Sequence, residues 1–140
     1  MDNIETEIYK KLKLFFDTYK VGEIIKIESG ITCLGIPDSY YACYNGIHGW
    51  IEIKQLKNYK GGIISIPYRP GQQAWLNLFN KIIKTVYVFI LIKDEYYLIN
   101  KNFKQKRFVN LEALCHNVIW HNKKLNTDLK SVLRRNNVKD

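Results

Sequence analysis

Three side chains in the first half of the sequence have the types and spacing for hydrolytic chemistry. Asp38 closes the segment Gly35-Ile36-Pro37-Asp38, and Glu52 follows fourteen residues later within Trp50-Ile51-Glu52-Ile53-Lys54. Side chains alternate along a strand, so Glu52 and Lys54 share a face with Trp50 while Ile51 and Ile53 take the other. Between the two segments, Asn45-Gly46 is the strongest short signal for a tight hairpin turn. Counting back from that turn predicts Asp38 opposite residues 52 to 54, to within about a residue or two, because the turn sets the register. The three charged groups can then meet at one point.

Two carboxylates with spare oxygen lone pairs suit a hard cation such as Mg²⁺, which takes oxygen ligands and keeps waters for a substrate phosphate. A lysine beside them could orient or deprotonate an attacking water, or stabilise charge developing on phosphorus. That is the outline of a phosphodiester-cleaving site. An isolated Glu-x-Lys triplet, however, reads as an ordinary ion pair on an exposed strand face, so the reading rests on the company the triplet keeps.

The positioning elements follow from periodicity. From Asp2 to Tyr19, Ile4, Ile8, Leu12, Phe15, Phe16 and Tyr19 recur at spacings of three and four, which predicts an amphipathic helix, ended by Gly22. Glu23 to Glu28 is a short strand candidate, Ser29 to Pro37 a connection, and Asp38 to Tyr44 with Gly49 to Gln55 the two arms of an antiparallel hairpin. After a polar, glycine-rich link, Ile63 to Ile66 reads as a brief strand, Pro70 as a first helical residue, and Gln72 to Ile83 as a helix burying Trp75, Leu76, Phe79, Ile82 and Ile83. Val86 to Ile92 is an apolar run of seven and suits a central strand buried on both faces. A turn at Asp94-Glu95 leads into Tyr96 to Asn100. Lys101 to Arg107 is a basic loop, and Leu111 to His121 and Leu125 to Arg135 are read as two closing helices. The order α-β-β-β-α-β, with additions, predicts an α/β fold: a mixed sheet flanked by helices in one domain over residues 1–140, with a core at about 4–100 and a basic extension at 101–140.

Composition narrows the class. The 140 residues are 46% hydrophobic and 14% aromatic, which excludes a disordered tail, and the longest apolar run is too short to span a membrane. Asp2, Glu5 and Glu7 stand where a secretory signal needs positive charge, so a cytosolic protein is expected. Cys33, Cys43 and Cys115 form no CxxC pair and read as small buried hydrophobes. His116 and His121 would not share a helix face, and His48 beside the turn reads as exposed, so no histidine metal site is expected. Tyr40, Tyr41, Tyr44 and Trp50 could stack on bases, although packing of the sheet explains most of that set. The net charge of +9 favours a polyanionic partner, nucleic acid before a membrane surface. Residues 1–100 hold 12 basic and 10 acidic side chains, whereas residues 101–140 hold 10 and 3, so the positive field belongs mostly to the C-terminal third.

Taken together, a helix bearing Glu5, then Ser29-Gly30, Pro37-Asp38, Glu52-x-Lys54, and Arg69-Pro70-Gly71-Gln72 opening a helix resemble the PD-(D/E)XK nuclease superfamily. In detail the order is similar to archaeal-type Holliday junction resolvases and the related VRR-NUC domains, over about residues 4 to 92. The C-terminal third matches no such pattern.

The resemblance implies a restriction-endonuclease-like core and a Mg²⁺-dependent endonuclease acting on branched DNA, with Mn²⁺ able to substitute. It implies Asp38, Glu52 and the backbone carbonyl of Ile53 as metal ligands and Lys54 as the motif lysine. A glutamate of the first helix joins the site in the resolvases. Glu5 fits that place, since at about 100° per residue it lies roughly 45° from the centre of the apolar stripe, whereas Glu7 lies more than about 100° away. Ser29 occupies the place of a serine near the scissile phosphate, although Ser-Gly is also a common turn pair. Gln72 corresponds to the helix glutamine near the site's water, and Arg69 could touch phosphate. The Gly35 to Asp38 loop lacks the basic residues some resolvases carry there, which bears on four-way-junction preference rather than on the nuclease core. A homodimer is implied because two symmetrical cuts need two sites, and small enzymes of this sort are often carried by phages and act in the host cytoplasm. The alternatives are a VRR-NUC-like monomeric nickase, flap or fork nuclease, and an inert nucleic-acid-binding module of the same fold. For DNA contacts the expected residues are Lys57, Lys60 and Arg69 near the catalytic face, and Lys101, Lys104, Lys106, Arg107, Arg134 and Arg135 in the basic third.

Overall fold

The computed structural model describes residues 3–27, 35–56 and 62–135. Ser29, Cys33, Lys57 and Lys60 lie outside the described residues. The elements run α1 (Asn3–Thr18), β1 (Gly22–Lys26), β2 (Ser39–Cys43), β3 (His48–Leu56), β4 (Ile64–Ser65), α2 (Gln72–Ile83), β5 (Val86–Ile92), β6 (Glu95–Ile99), β7 (Arg107–Phe108), α3 (Leu111–Cys115), β8 (Val118–Asn122) and α4 (Thr127–Leu133). Six strands form a mixed sheet in the order β1-β2-β3-β5-β6-β8, antiparallel throughout except where β3 pairs β5 in parallel. β4 and β7 make a separate two-stranded ribbon.

The sheet carries a hydrophobic layer on each face. Ile8, Leu12, Phe15 and Phe16 of α1 pack with Ile51, Ile53, Tyr87 and Phe89 on one side. Leu76 of α2, with Trp75 and Phe79 partly buried, packs with Val86, Val88, Ile90 and Trp50 on the other. β5 therefore contributes alternate residues to both layers, which is why its sequence is apolar without a break. At the C-terminal end of α2, Asn80 accepts from Val86 N at 3.1 Å and donates to Asn100 O at 2.8 Å, which ties the helix to β5 and to the end of β6.

The hairpin turn falls at Asn45-Gly46, as expected: Gly46 takes φ 93°, and Gly46 N donates to Cys43 O at 2.9 Å. Register follows, with Ser39 opposite Ile51 and Tyr40 opposite Trp50. β5 has its predicted limits, as does α2.

Several expectations are corrected. The first helix stops at Thr18 with Lys20 in the left-handed region (φ 55°), while Gly22 opens β1 in a close approach where a Cβ would strike the Ala42 carbonyl. Pro70 lies in the turn ahead of α2, and left-handed Gly71 (φ 82°) caps the helix. Ile82 is 66% exposed and faces away from the sheet. The expected helix from Leu111 to His121 ends at Cys115, after which Val118–Asn122 becomes the strand β8. The open edge of β6 supplies the pairing that a local pattern cannot show, and Val118, Ile119 and Trp120 are β-prone types. Cys115 is exposed, whereas Cys43 is buried as expected and burial raises its thiol pKa to about 11.

The packing of α2 yields a stability test. Leu76→Ala, at a fully buried site, should cost about 2–5 kcal/mol in denaturant unfolding. Ile82→Ala should stay within about 0.5 kcal/mol of wild type. Equal losses would mean the helix is rotated.

Candidate active site

The antiparallel ladder between β2 and β3 ends at Ser39 and Ile51, and the next residues on each side use carboxylates in its place. Asp38 N donates to Glu52 Oε1 at 3.0 Å, and Ile53 N donates to Asp38 Oδ2 at 3.1 Å. Glu52 thus accepts the N–H of Asp38 itself and Asp38 accepts the N–H next to Glu52, and charge-assisted bonds of this kind are the stronger class. Asp38 faces Glu52, within the span of 52 to 54 that the turn predicted.

Glu52 and Lys54 leave β3 on the α2 side, opposite Ile51 and Ile53. They are 1% and 3% exposed, and Lys54 Nζ lies 3.0 Å from Glu52 Oε2. The ordinary surface pair that the triplet alone suggests is therefore not what β3 carries. Burial first, and then the Asp38 charge, push the Glu52 carboxyl up from 4.5 to about 7, against the opposing pull of Lys54 and Arg69.

The far wall of the site is the segment Tyr68 to Gln72. Arg69 Nη2 lies 3.6 Å from both Asp38 Oδ1 and Glu52 Oε1 and donates to Ile36 O at 3.4 Å. Gln72 is fully buried, and its Oε1 accepts from Arg69 N at 2.9 Å. Its Nε2 is buried without an acceptor, as is the hydroxyl of Tyr68 without a partner. Lys54 Nζ stands 5.9 Å from the centre of the Tyr68 ring. Burial, then the Glu52 charge, hold the Tyr68 phenol far above its ordinary pKa, so it remains protonated. Close approach of the two loops depends on Gly35 (φ 93°), where a Cβ would run into the Gly71 carbonyl.

Gln72 Nε2 and the Tyr68 hydroxyl thus carry polar hydrogens close to the carboxylate pair that no described protein group engages, as does the Ser39 hydroxyl at the end of the ladder. Asp38 and Glu52 offer oxygen ligands. The Ile53 carbonyl points to their side, because a strand residue sends its N–H and C=O in the same direction and the N–H goes to Asp38. This donor set fits a hard cation that keeps part of its water shell. Among the described residues no three His, Cys, Asp or Glu side chains group closely enough to hold a metal, so the carboxylates stand as a pair.

Of the other sequence candidates, Glu5 is half-buried on the first turn of α1, while Glu7 is exposed beside Lys10. Tyr9 Oη donates to Ile24 O at 3.3 Å, and Ile27 N donates to Asp38 O at 2.7 Å, so the first turn of α1 lies toward the end of the sheet that holds Asp38. α1 itself covers the opposite face from Glu52 and Lys54. Tyr68 was not identified from sequence, for it sits in an irregular segment where no periodicity reports its direction.

The basic groups divide in two. Gln73 Nε2 donates to Phe103 O and Lys104 O at 2.9 and 2.8 Å, which holds the Lys101 to Arg107 loop beside the first turn of α2 and hence near the site. Arg134 and Arg135 lie instead near the β2–β3 turn, where Asn45 Nδ2 donates to Arg134 O at 3.0 Å. His121 pairs with Glu95 at 2.8 Å and stacks on Tyr97, and His48 is exposed.

The raised Glu52 pKa sets a sign for stability against pH. The folded state binds its proton more tightly than the unfolded state, so the stability from this group is present below about pH 4.5 and is lost as pH rises through about 7. Unfolding of wild type between pH 4 and pH 8 should show that decline, and the Glu52→Gln profile should lack this component. Parallel profiles would refute the shift.

No family model and no curated protein sequence matches the chain. Among solved structures it is similar to Hjc, the Holliday junction resolvase of the archaeal hyperthermophile Archaeoglobus fulgidus, at 15% identity and a TM-score of 0.46, covering 71% of this chain and 84% of that one.

Proposed function

We propose that this chain is a divalent-metal-dependent endonuclease that hydrolyses phosphodiester bonds in branched DNA. The observation that carries the reading is the junction of Asp38 and Glu52 with a buried Lys54, which costs too much desolvation to be ordinary surface polarity. Asp38, Glu52 and the Ile53 carbonyl would hold Mg²⁺ or Mn²⁺. Bound there, the cation supplies Lewis acidity and an activated water. Lys54, buried against Glu52, would orient the attacking water or stabilise charge on the phosphate, and Gln72 Nε2 and the Tyr68 hydroxyl would be further donors beside it. By the resemblance, Ser29 and Glu5 would complete the catalytic set; Glu5 stands on the first turn of α1 and does not group with Asp38 and Glu52, so its part would be outside the ligand pair. Two copies acting on opposite strands would make the paired cuts that resolve a junction.

The test is cleavage of four-way, forked, flap and linear duplex DNA with and without Mg²⁺. Asp38→Asn and Glu52→Gln should each lose at least about a thousandfold in rate, or about 4 kcal/mol of transition-state stabilisation, while binding DNA close to wild type. Lys54→Ala should be inactive yet bind metal, and Glu5→Gln should lose at least about tenfold while Glu7→Gln is nearly neutral. DNA binding without cleavage of any substrate would favour the inert module. Cutting confined to one strand of flaps or forks would favour the monomeric nickase.

Salt dependence tests the grip. Each phosphate contact should contribute about −0.9 to the slope of log affinity against log salt. Replacing Lys101, Lys104, Lys106 and Arg107 with alanine, or separately Arg134 and Arg135, should flatten the slope by about one unit per lost contact. Unchanged affinity and slope would make these residues a solubilising surface and leave the grip to Lys57, Lys60 and Arg69.

A further inference from the structure

With both carboxylates ionised, above about pH 7, the charges at the site already balance. Asp38 and Glu52 are opposed by Lys54 and Arg69, and the Arg69 guanidinium stands at equal distance, 3.6 Å, from one oxygen of each carboxylate. A group so placed occupies the position from which a cation would address both carboxylates at once. A divalent ion entering while Arg69 stays would leave two excess positive charges in a largely buried cleft and would set like charges against each other.

The two basic residues differ in how firmly they are held. Lys54 is buried against Glu52, whereas the Arg69 side chain is 50% exposed, and its remaining bond is a long one to Ile36 O. The backbone of Arg69 is anchored independently, since its N–H is taken by Gln72 Oε1 and its C=O by Gln72 N at 3.0 Å. The side chain can therefore leave the carboxylates without disturbing the cap of α2. A phosphate oxygen is the partner that would draw it out, because a guanidinium matches phosphate geometry and the phosphate brings the negative charge that a divalent ion lacks.

We infer that Arg69 is an internal counter-ion of the carboxylate pair, displaced outward onto the substrate phosphate when a divalent cation enters, so that metal binding is weak until DNA is bound. The inference rests on the metal-dependent reading of the site and adds to it the residue that couples the two ligands. Arg69 is on this view a positioning residue as well as a DNA contact. Coupling of this kind is reciprocal, so DNA must tighten metal binding by the factor by which metal tightens DNA binding.

The experiment is Mn²⁺ titration of the full chain without DNA, followed by calorimetry or by the spin resonance of free Mn²⁺. Arg69→Ala should bind Mn²⁺ at least about tenfold more tightly than wild type, although it binds DNA less well. Arg69→Gln, of similar reach but uncharged, should do the same, and thermal unfolding of both variants keeps the comparison to folded protein. Glu52→Gln is the control for the site. Equal binding by wild type and both Arg69 variants, lost in Glu52→Gln, would overturn the counter-ion role and leave the metal reading standing. Mn²⁺ binding that ignores Glu52→Gln would overturn both, and no binding by the Arg69 variants would overturn the counter-ion role while leaving the metal reading to the cleavage assay.

Discussion

The site depends on one arrangement: two acidic side chains that finish a β ladder in place of backbone groups. At the open end of the hairpin, Glu52 takes the Asp38 N–H and Asp38 takes the Ile53 N–H, so strand register and carboxylate placement are set by the same bonds. Like charges so close, one of them fully buried, are unfavourable unless cations answer them. Lys54 must therefore come from the same strand face, two residues on, and a second basic group must arrive from elsewhere.

Topology supplies that second group. β3 and β5 are parallel neighbours, and parallel strands need a crossover of a dozen or more residues. The crossover here contains β4, the Tyr68 to Gln72 segment and α2, and it lies over the face of β3 that bears Glu52 and Lys54. Tight packing of Gly35 against Gly71 brings the loop before Asp38 and the loop before α2 together. Trp50, Trp75 and Phe79, in ring contact at 5.3 and 4.1 Å, hold the helix over the strand just beyond the charged cluster. The apolar layer and the polar site are thus two stretches of one interface.

What the sequence discloses divides along the same physical line. Local signals were sufficient for the hairpin, because Asn45-Gly46 fixes both turn and register, and for β5 and α2, whose patterns are long and bounded. Asp38 opposite residues 52 to 54 followed from counting alone; that it faces Glu52 is set by the register. Burial of the Glu52–Lys54 pair could not be read that way, for a Glu-x-Lys triplet looks the same on an open strand as under a helix. Tyr68 was invisible for the same reason: its neighbours come from a crossover whose path is tertiary. Val118–Asn122 failed as a helix because its conformation is decided by the free edge of β6, twenty or so residues earlier in the chain. Ile82 failed because an apolar residue on the outer side of a helix carries no mark of its exposure.

The basic C-terminal third is tied to the crossover at one end and to the hairpin at the other rather than trailing from them. β7 pairs with β4 of the crossover and Gln73 holds the Lys101 to Arg107 loop, so this positive charge flanks the carboxylates. At the other end, the Tyr41 hydroxyl donates to Leu133 O at 3.1 Å and Asn45 to Arg134 O, so Arg134 and Arg135 are set by the turn. Five steps of extended chain run from Asp38 to Cys43 ahead of the turn, which at about 3.3 Å per residue is roughly 17 Å. On the proposed nuclease reading, a duplex rising 3.4 Å per base pair and lying along the hairpin would meet the second basic group about five base pairs or more from the carboxylates. The hairpin that aligns the carboxylates thus also fixes how far they lie from Arg134 and Arg135.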